Sequence, residues 1–236
     1  MKNISFFKKF NELDNISLNV DFHLHSTWTD GKQSIEEIFE YAKKKGLGAI
    51  AITDHIRKES TYFDSYKKLI DKLKNSNNEC NIYCGFEAKV SDFQGNIDVQ
   101  NYIINNSDIA IASVHRFPLG KNLYNAIEFK KNIAQEIELE LTIAALNKGG
   151  FNVMGHPGGM CLRYFKEFPK SYLEKIIVAC KKNEIAFDLS GSYHKNILKE
   201  LLPMLKKHNP HVSIGSDSHS IYKMHYWNQQ LKKLIG

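Results

Sequence analysis

The chain has 236 residues, 42% of them hydrophobic and 25% charged, with a formal net charge of +6 at pH 7. That size and balance suit one large α/β domain or two small ones with a sizeable core. No uncharged apolar run reaches the roughly 18 residues of a membrane span, so a spanning helix is excluded.

Residues 1–15 read as a polar lead-in holding a helical turn, without the apolar stretch of a signal peptide. A first strand is expected over Ile16–His23, then a loop with an Asp30-Gly31 turn. Ser34 is placed as an N-cap, Glu36 and Glu37 suit the helix dipole, and Gly46 ends the helix after Lys45. Within Gly48–Thr53 the run Ala49-Ile50-Ala51-Ile52 lacks polar alternation, as in a parallel-sheet strand covered on both faces. A lysine-rich helix over Phe63–Asn75 precedes a third strand, Asn81–Phe86, and Ala88–Asn106 is expected to hold a loop and a short helix. A fourth strand, Asp108–Val114, leads into a loop containing Pro118 and Gly120. The helix Ala126–Asn147 presents Ile133, Ile137, Leu141 and Ala144/Ala145 on one face and stops at Gly149-Gly150. A fifth strand, Phe151–Gly155, and a helix over Ser171–Asn183 follow. A sixth strand, Glu184–Leu189, and a helix over Lys195–His208, which Pro203 kinks or breaks, come next. A seventh strand, His211–Gly215, and an amphipathic C-terminal helix, Ile221–Ile235, close the pattern.

No linker, repeat or low-complexity tract interrupts residues 1–236, which are therefore expected to form a single domain. Alternating strands and helices predict a parallel sheet, and seven units fit a closed or nearly closed barrel better than a small open sheet. The four cysteines, Cys80, Cys84, Cys161 and Cys180, show no zinc-ligand spacing, and Cys80 and Cys84, at or in a predicted strand, read as packing residues. Without a secretory signal, a reduced cytoplasmic setting is the default expectation.

Six of the seven predicted strands stop at a metal-capable side chain. These are His23 and His25, His55, Glu87, His115, His156, and Asp217 with His219. In a parallel barrel all strand C-termini open on one face, so residues distant in sequence converge there. Asp30 in the first loop adds another carboxylate, making nine candidates. A single zinc takes about four ligands, so two or three ions sharing a carboxylate account for the set better than one. Imidazoles and carboxylates without thiolates suit zinc, manganese or iron alike. The only arginines, Arg57, Arg116 and Arg163, each lie close in sequence to one of these histidines. A guanidinium grips phosphate two oxygens at a time. A positive chain also favours encounter with an anion, although a lysine-coated surface explains the charge as well.

The motifs Asp21-x-His23-x-His25-Ser26, Thr53-Asp54-His55, an isolated Glu87, Ser113-Val114-His115, Gly155-His156-Pro157 and Ser216-Asp217-Ser218-His219 occur in that order. Together they resemble the PHP (polymerase and histidinol phosphatase) family over roughly residues 18–225. The resemblance implies a distorted (β/α)7 TIM-like barrel with a two- or three-metal centre at the C-terminal ends of its strands. It implies that His23, His25, Glu87 and Asp217 hold one divalent ion. Glu87, bridging, holds a second with His115 and His156; Asp30, His55 and His219 hold the third. In some members the position of Asp30 is a histidine, which leaves open whether the third site here is weaker or harder.

The expected activity is hydrolysis of a phosphate ester, with a hydroxide between two ions attacking phosphorus. Glu87 is expected in the catalytic centre, Arg116 and Arg163 as the phosphate grip, and Arg57 as a further candidate. Asp21 and Asp54 are candidates to orient ligand imidazoles. Asp188, Ser190, Ser192 and His194 after strand six are candidates to touch substrate. The leading substrate class is a small phosphomonoester of the histidinol-phosphate kind. A phosphodiesterase or nuclease is the alternative, to which Tyr62, Phe63, Tyr66, Lys67 and Lys68 would offer a stacking, basic surface. A non-catalytic metal-stabilised domain is the third reading. No membrane partner is expected, and the segment Tyr222–Trp227 is left as either a packing or a self-association surface.

Overall fold

The computed structural model describes residues 3–76 and 79–235. Among the described residues nine strands form: β1 (Val20–Leu24), β2 (Ala49–Ile52), β3 (Asn81–Lys89), β4 (Ile109–Ser113), β5 (Phe117–Leu119), β6 (Asn122–Tyr124), β7 (Val153–Gly155), β8 (Ala186–Ser190) and β9 (Val212–Gly215). The helices are α1 (Ile35–Lys44), α2 (Phe63–Lys74), α3 (Asn101–Asn106), α4 (Lys131–Lys148), α5 (Gly159–Phe165), α6 (Lys170–Lys182), α7 (Gly191–His194), α8 (Leu198–His208) and α9 (Tyr226–Ile235). Seven strands make one parallel sheet in the order β1-β2-β3-β4-β7-β8-β9, while β5 and β6 pair as a separate hairpin.

The sheet curls until its edges meet. Between β1 and β9 a single parallel bridge, Leu24 with Ser218, replaces a ladder. Side chains close the rest of the seam: Asp21 Oδ1 accepts the Ser216 N–H at 2.9 Å, and Asn228 Nδ2 donates to the Leu18 carbonyl at 2.8 Å. The result is a nearly closed α/β barrel.

Strand residues alternate between two apolar clusters. Ile50, Ile52, Phe86, Ala110 and Phe187 face the helices in the large outer core. Ala49, Ala51, Ile109, Ile111, Val153 and Ala186 face the barrel interior together with Phe22. Burying each such branched side chain contributes roughly 1.5–3 kcal/mol. Phe7 from the lead-in sits edge-on to Phe22, with ring centroids 5.9 Å apart, and plugs the end opposite the strand C-termini. The other end is therefore the open one.

Several boundaries differ from the sequence expectation for identifiable reasons. The first strand starts at Val20 rather than Ile16, because Asp14 and Ser17 bond each other's backbone N–H groups and hold a turn that leaves Ile16 exposed. The loop around Pro118 and Gly120 is the β5–β6 hairpin. The helix expected from Ala126 begins at Lys131, after a 3₁₀ turn over Ala126–Glu128. Its buried face is Ala134, Gln135, Glu138, Leu141, Thr142 and Ala145, one position round from the expected stripe, and Ile133 is exposed. That rotation places the Glu138 carboxylate on the Met160 and Cys161 N–H groups at 3.0 and 2.8 Å, which cap α5. Pro203 does not break α8. The C-terminal helix is a 3₁₀ turn, Ile221–Lys223, followed by α9. Among the described residues none of the four cysteines forms a disulfide, and all four are buried. Among the described residues no helix is long and apolar enough to cross a membrane.

Candidate metal centre

Glu87 lies within β3, not beyond its end, and is 1% exposed. Its Oε1 is 3.0 Å from His156 Nε2, 3.2 Å from His115 Nε2 and 3.4 Å from His23 Nε2. Its Oε2 is 3.1 Å from His55 Nδ1 and 3.6 Å from His25 Nε2. Five imidazoles from four strands and their loops thus surround one carboxylate. Ser113 Oγ donates to Oε1 at 2.5 Å and fixes the rotamer. Asp217 Oδ1 lies 3.2 Å from His25 Nε2, and Asp30 Oδ2 lies 3.3 and 3.2 Å from Nε2 of His55 and His219. All nine candidates drawn from the sequence therefore meet at the strand C-termini.

They fall into overlapping groups whose ligand atoms lie within 4.8 Å of one another. These are His23, Glu87 and His156; His23, His25 and Asp217; His55, Glu87 and His115; and His25, Asp30, His55 and His219. The grouping differs from the one the resemblance implied. His156 clusters with His23, and His115 clusters with His55, although both point at the same Glu87 oxygen.

Local backbone accounts for this convergence. In β1 the register slips by one residue between Asp21 and Leu24, a bulge that turns His23 into the barrel beneath His25. The two rings end 5.3 Å apart. His156 and Asp217 adopt positive φ, 26° and 53°, in non-glycine residues. Such conformations cost roughly 1–3 kcal/mol each and persist where surrounding contacts over-determine them.

Asp188 is the orienting carboxylate. Fully buried, it accepts from His23 Nδ1 at 2.9 Å and from the His156 N–H at 3.0 Å. This corrects its expected place at the substrate-facing mouth. Asp54 instead accepts from Ser26 N, Ser26 Oγ and Thr29 Oγ1, tying down the loop that carries Asp30. Asp21 bonds backbone rather than an imidazole. Ser190 and His194 are buried away from the mouth: the Ser190 N–H donates to His194 Nδ1, and His194 Nε2 faces the Pro157 carbonyl. Ser192 is exposed and donates to the carbonyls of Ser216 and Asp217.

The electrostatics are those of a densely coupled cluster. Burial opposes the Glu87 charge, but His115 and His23 hold its carboxyl well below the usual range. Burial likewise disfavours imidazolium at His23, yet Glu87 and Asp188 raise its pKa well above the ordinary value. His55 is pushed up to about 10, Asp30 and Glu87 outweighing its burial. Asp217, also buried, is drawn down to about 2 by His25 and His23. His25 shifts down, chiefly through burial. His23 Nε2 and both ring nitrogens of His25 are buried without a hydrogen-bond partner. Such atoms normally cost about 1–3 kcal/mol unless satisfied. Unpartnered imidazole nitrogens beside ionised carboxylates, with no thiolate, fit a group of divalent cations.

Above the cluster a cavity of about 550 Å³ is lined by Glu87, His115 and Asp217 and also by Arg57, Arg116 and Arg163. All the arginines of the chain thus face one space. Lys89 and Tyr193 line it too, with the Tyr193 ring 4.5 Å from that of His156. Sequence reasoning missed both: Lys89 lies beyond the expected strand end, and Tyr193 sits in a short helix with no periodic signal. The lysine-aromatic surface expected at α2 is not formed, because Phe63 and Tyr66 are core residues and the Tyr66 hydroxyl donates to the Ile52 carbonyl at 2.7 Å.

Similar proteins cover nearly the whole chain. A protein named Probable phosphatase from Caldicellulosiruptor saccharolyticus is 26% identical over 210 residues, 86% of this chain and 80% of its own length. The DNA polymerase/3'-5' exonuclease PolX of Bacillus subtilis is 25% identical over 209 residues, 85% of this chain but 34% of its own. Among solved structures, histidinol phosphate phosphatase from Lactococcus lactis, complexed with zinc, L-histidinol and phosphate, shares the fold. It has a TM-score of 0.70 at 21% identity, covering 92% of this chain and 93% of its own. The PHP domain matches residues 21–201, more than half of the sequence, and the chain therefore belongs to the PHP domain family.

Proposed function

We propose that this protein is a metal-dependent phosphomonoesterase acting on a small phosphorylated molecule. The observation that carries the reading is the pairing of two features in one cavity: an imidazole–carboxylate cluster centred on Glu87, and every guanidinium of the chain directly above it. His23, His25, Glu87, Asp217, His115 and His156 would hold the cations, with Asp30, His55 and His219 forming a further site. Bound divalent cations supply a water-derived nucleophile at neutral pH and offset charge on phosphoryl oxygens. Arg116, Arg163 and Arg57 receive the phosphoryl oxygens through paired N–H donors. Ser113 and Asp188 keep Glu87 and His23 in position. Family membership and the relative named Probable phosphatase support the reaction class. The zinc and phosphate of the Lactococcus lactis structure support the choice of metal and of a phosphoryl group as the one transferred to water.

The test compares p-nitrophenyl phosphate with bis(p-nitrophenyl) phosphate on protein reconstituted with zinc or manganese. Monoester hydrolysis that a chelator abolishes and metal restores is expected. A second reading, phosphodiester cleavage, draws on the similarity to PolX over most of this chain. Preferential cleavage of the diester, or of a labelled single strand, would favour it.

A further inference from the structure

The mouth opens sideways into a second hollow of about 900 Å³, which shares Asp30, Arg163, Tyr193, Asp217 and His219 with the first. Four lysines from four separate segments line it: Lys32 after β1, Lys166 at the end of α5, Lys195 after α7 and Lys223 ahead of α9. Arg163 stands at the junction. Among the described residues none of these five cations forms an ion pair with a carboxylate. Lys166 Nζ donates to the Arg163 carbonyl instead. The carboxylates that reach the hollow, Asp30 and Asp217, are already engaged by His55, His219 and His25. Lysines such as Lys67, Lys131 and Lys207 find acidic partners elsewhere, but many others among the described residues do not, so these four are set apart by their convergence on one concave wall.

Unpaired cations converging from distant segments onto a concave wall raise the local potential and hold an anion. We propose that this hollow is a subsite for a second phosphate, so that the substrate is a small bisphosphorylated molecule. The inference rests on the phosphomonoesterase reading and narrows it. One phosphate lies over the Glu87 cluster and is hydrolysed: water adds to phosphorus, the ester P–O bond breaks, and the leaving oxygen takes the proton. Inorganic phosphate and an alcohol still carrying the second phosphate are released. An amino-alcohol leaving group would bring an ammonium against the lysines, which the charge pattern disfavours. Arg163, common to both hollows, is placed to span the two phosphates.

The experiment measures kcat/KM for a hexose monophosphate, the corresponding hexose bisphosphate and phosphoethanolamine. It uses the metal-reconstituted wild type and the Lys195→Glu, Lys223→Glu double variant, both substitutions being exposed. A charge-assisted contact to phosphate is worth roughly tenfold or more. The wild type should therefore prefer the bisphosphate over the monophosphate by at least about that factor, with phosphoethanolamine poorest. The double variant should lose the preference, as should the wild type at high salt. Equal rates for the monophosphate and bisphosphate, unchanged in the variant, would overturn the subsite while leaving phosphatase activity standing. If no ester is hydrolysed, the phosphomonoesterase reading itself fails. Calorimetric binding of the bisphosphate, with loss in the double variant, then decides whether the anion site exists, and no binding overturns it.

Discussion

Replacing Asp188 by asparagine isolates the positioning of the cluster from its ligands. The carboxylate is fully buried, and one oxygen accepts both from His23 Nδ1 at 2.9 Å and from the His156 N–H at 3.0 Å. It touches two of the candidate ligands without belonging to any group that converges on a cation position. Asparagine keeps the shape and one acceptor but removes the charge. A charged hydrogen bond contributes about 1.5–3 kcal/mol and a neutral one about 1 kcal/mol. The expected loss is therefore about 1–2 kcal/mol of preference for the ligating orientation and basicity of His23. This corresponds to roughly 5- to 30-fold weaker metal binding, overlapping the 10–100-fold range usual for such partners. His23 belongs to two of the four groups, so the loss should reach more than one ion. The assay is competition between the protein and a chromophoric chelator for zinc and for manganese. An affinity within twofold of wild type would refute the claim that Asp188 governs the imidazole. Alanine at the same position leaves the His156 N–H and a buried imidazole unpartnered and should cost about 3–5 kcal/mol of stability.

Arg116→Ala and Arg163→Ala should each lower kcat/KM on phosphate esters about 10- to 100-fold with metal content unchanged, because a guanidinium–phosphate contact is lost. Unaltered kinetics in either would remove that residue from the phosphate grip. At Gly155 a Cβ would lie 1.9 Å from Ser113 Oγ and 2.8 Å from Ile111 Cγ2. Gly155→Ala should therefore displace the hydroxyl that holds Glu87, destabilise by about 1–3 kcal/mol and reduce activity more than stability. A variant with wild-type melting temperature and rate would show that the close approach is not needed. His194, whose pKa burial lowers from 6.5 to about 4, binds protons more weakly folded than unfolded. Its contribution is thus complete above the unfolded value and is lost as pH falls through that window, by up to about 3 kcal/mol. In the metal-free protein His23 and His55 shift the other way, so the readout is the difference: between neutral pH and pH 5 the urea midpoint of wild type should fall relative to that of His194→Gln, and parallel slopes would dismiss the effect.

Apart from Asp30 in the first loop, the metal-capable side chains were legible because each sits where an apolar run stops, and strand ends of a parallel barrel share a face. The all-apolar Ala49–Ile52 announced a strand covered on both sides, and Ser34 and Gly46 marked the ends of α1 as observed. Asp188 was misread because its position at a strand end is the same signal that marks a mouth residue. Only the alternation of β8 against its neighbours shows that it points inward beneath His23. The stripe of α4 failed for a tertiary reason, since Glu138 is turned inward to cap α5, a demand invisible in helical periodicity. The β5–β6 hairpin and α5 escaped because strands of three residues and a helix starting at Gly159 carry too little pattern to separate from loop.

The central claim is that the cluster around Glu87 is a multi-cation site. Elemental analysis of the chain after equilibration with zinc or manganese and removal of free metal tests it directly, with Glu87→Gln alongside. The account predicts about two or three equivalents in the wild type and a loss of more than one when the shared carboxylate is neutralised. Less than one equivalent in the wild type, or an undiminished content in Glu87→Gln, would contradict it.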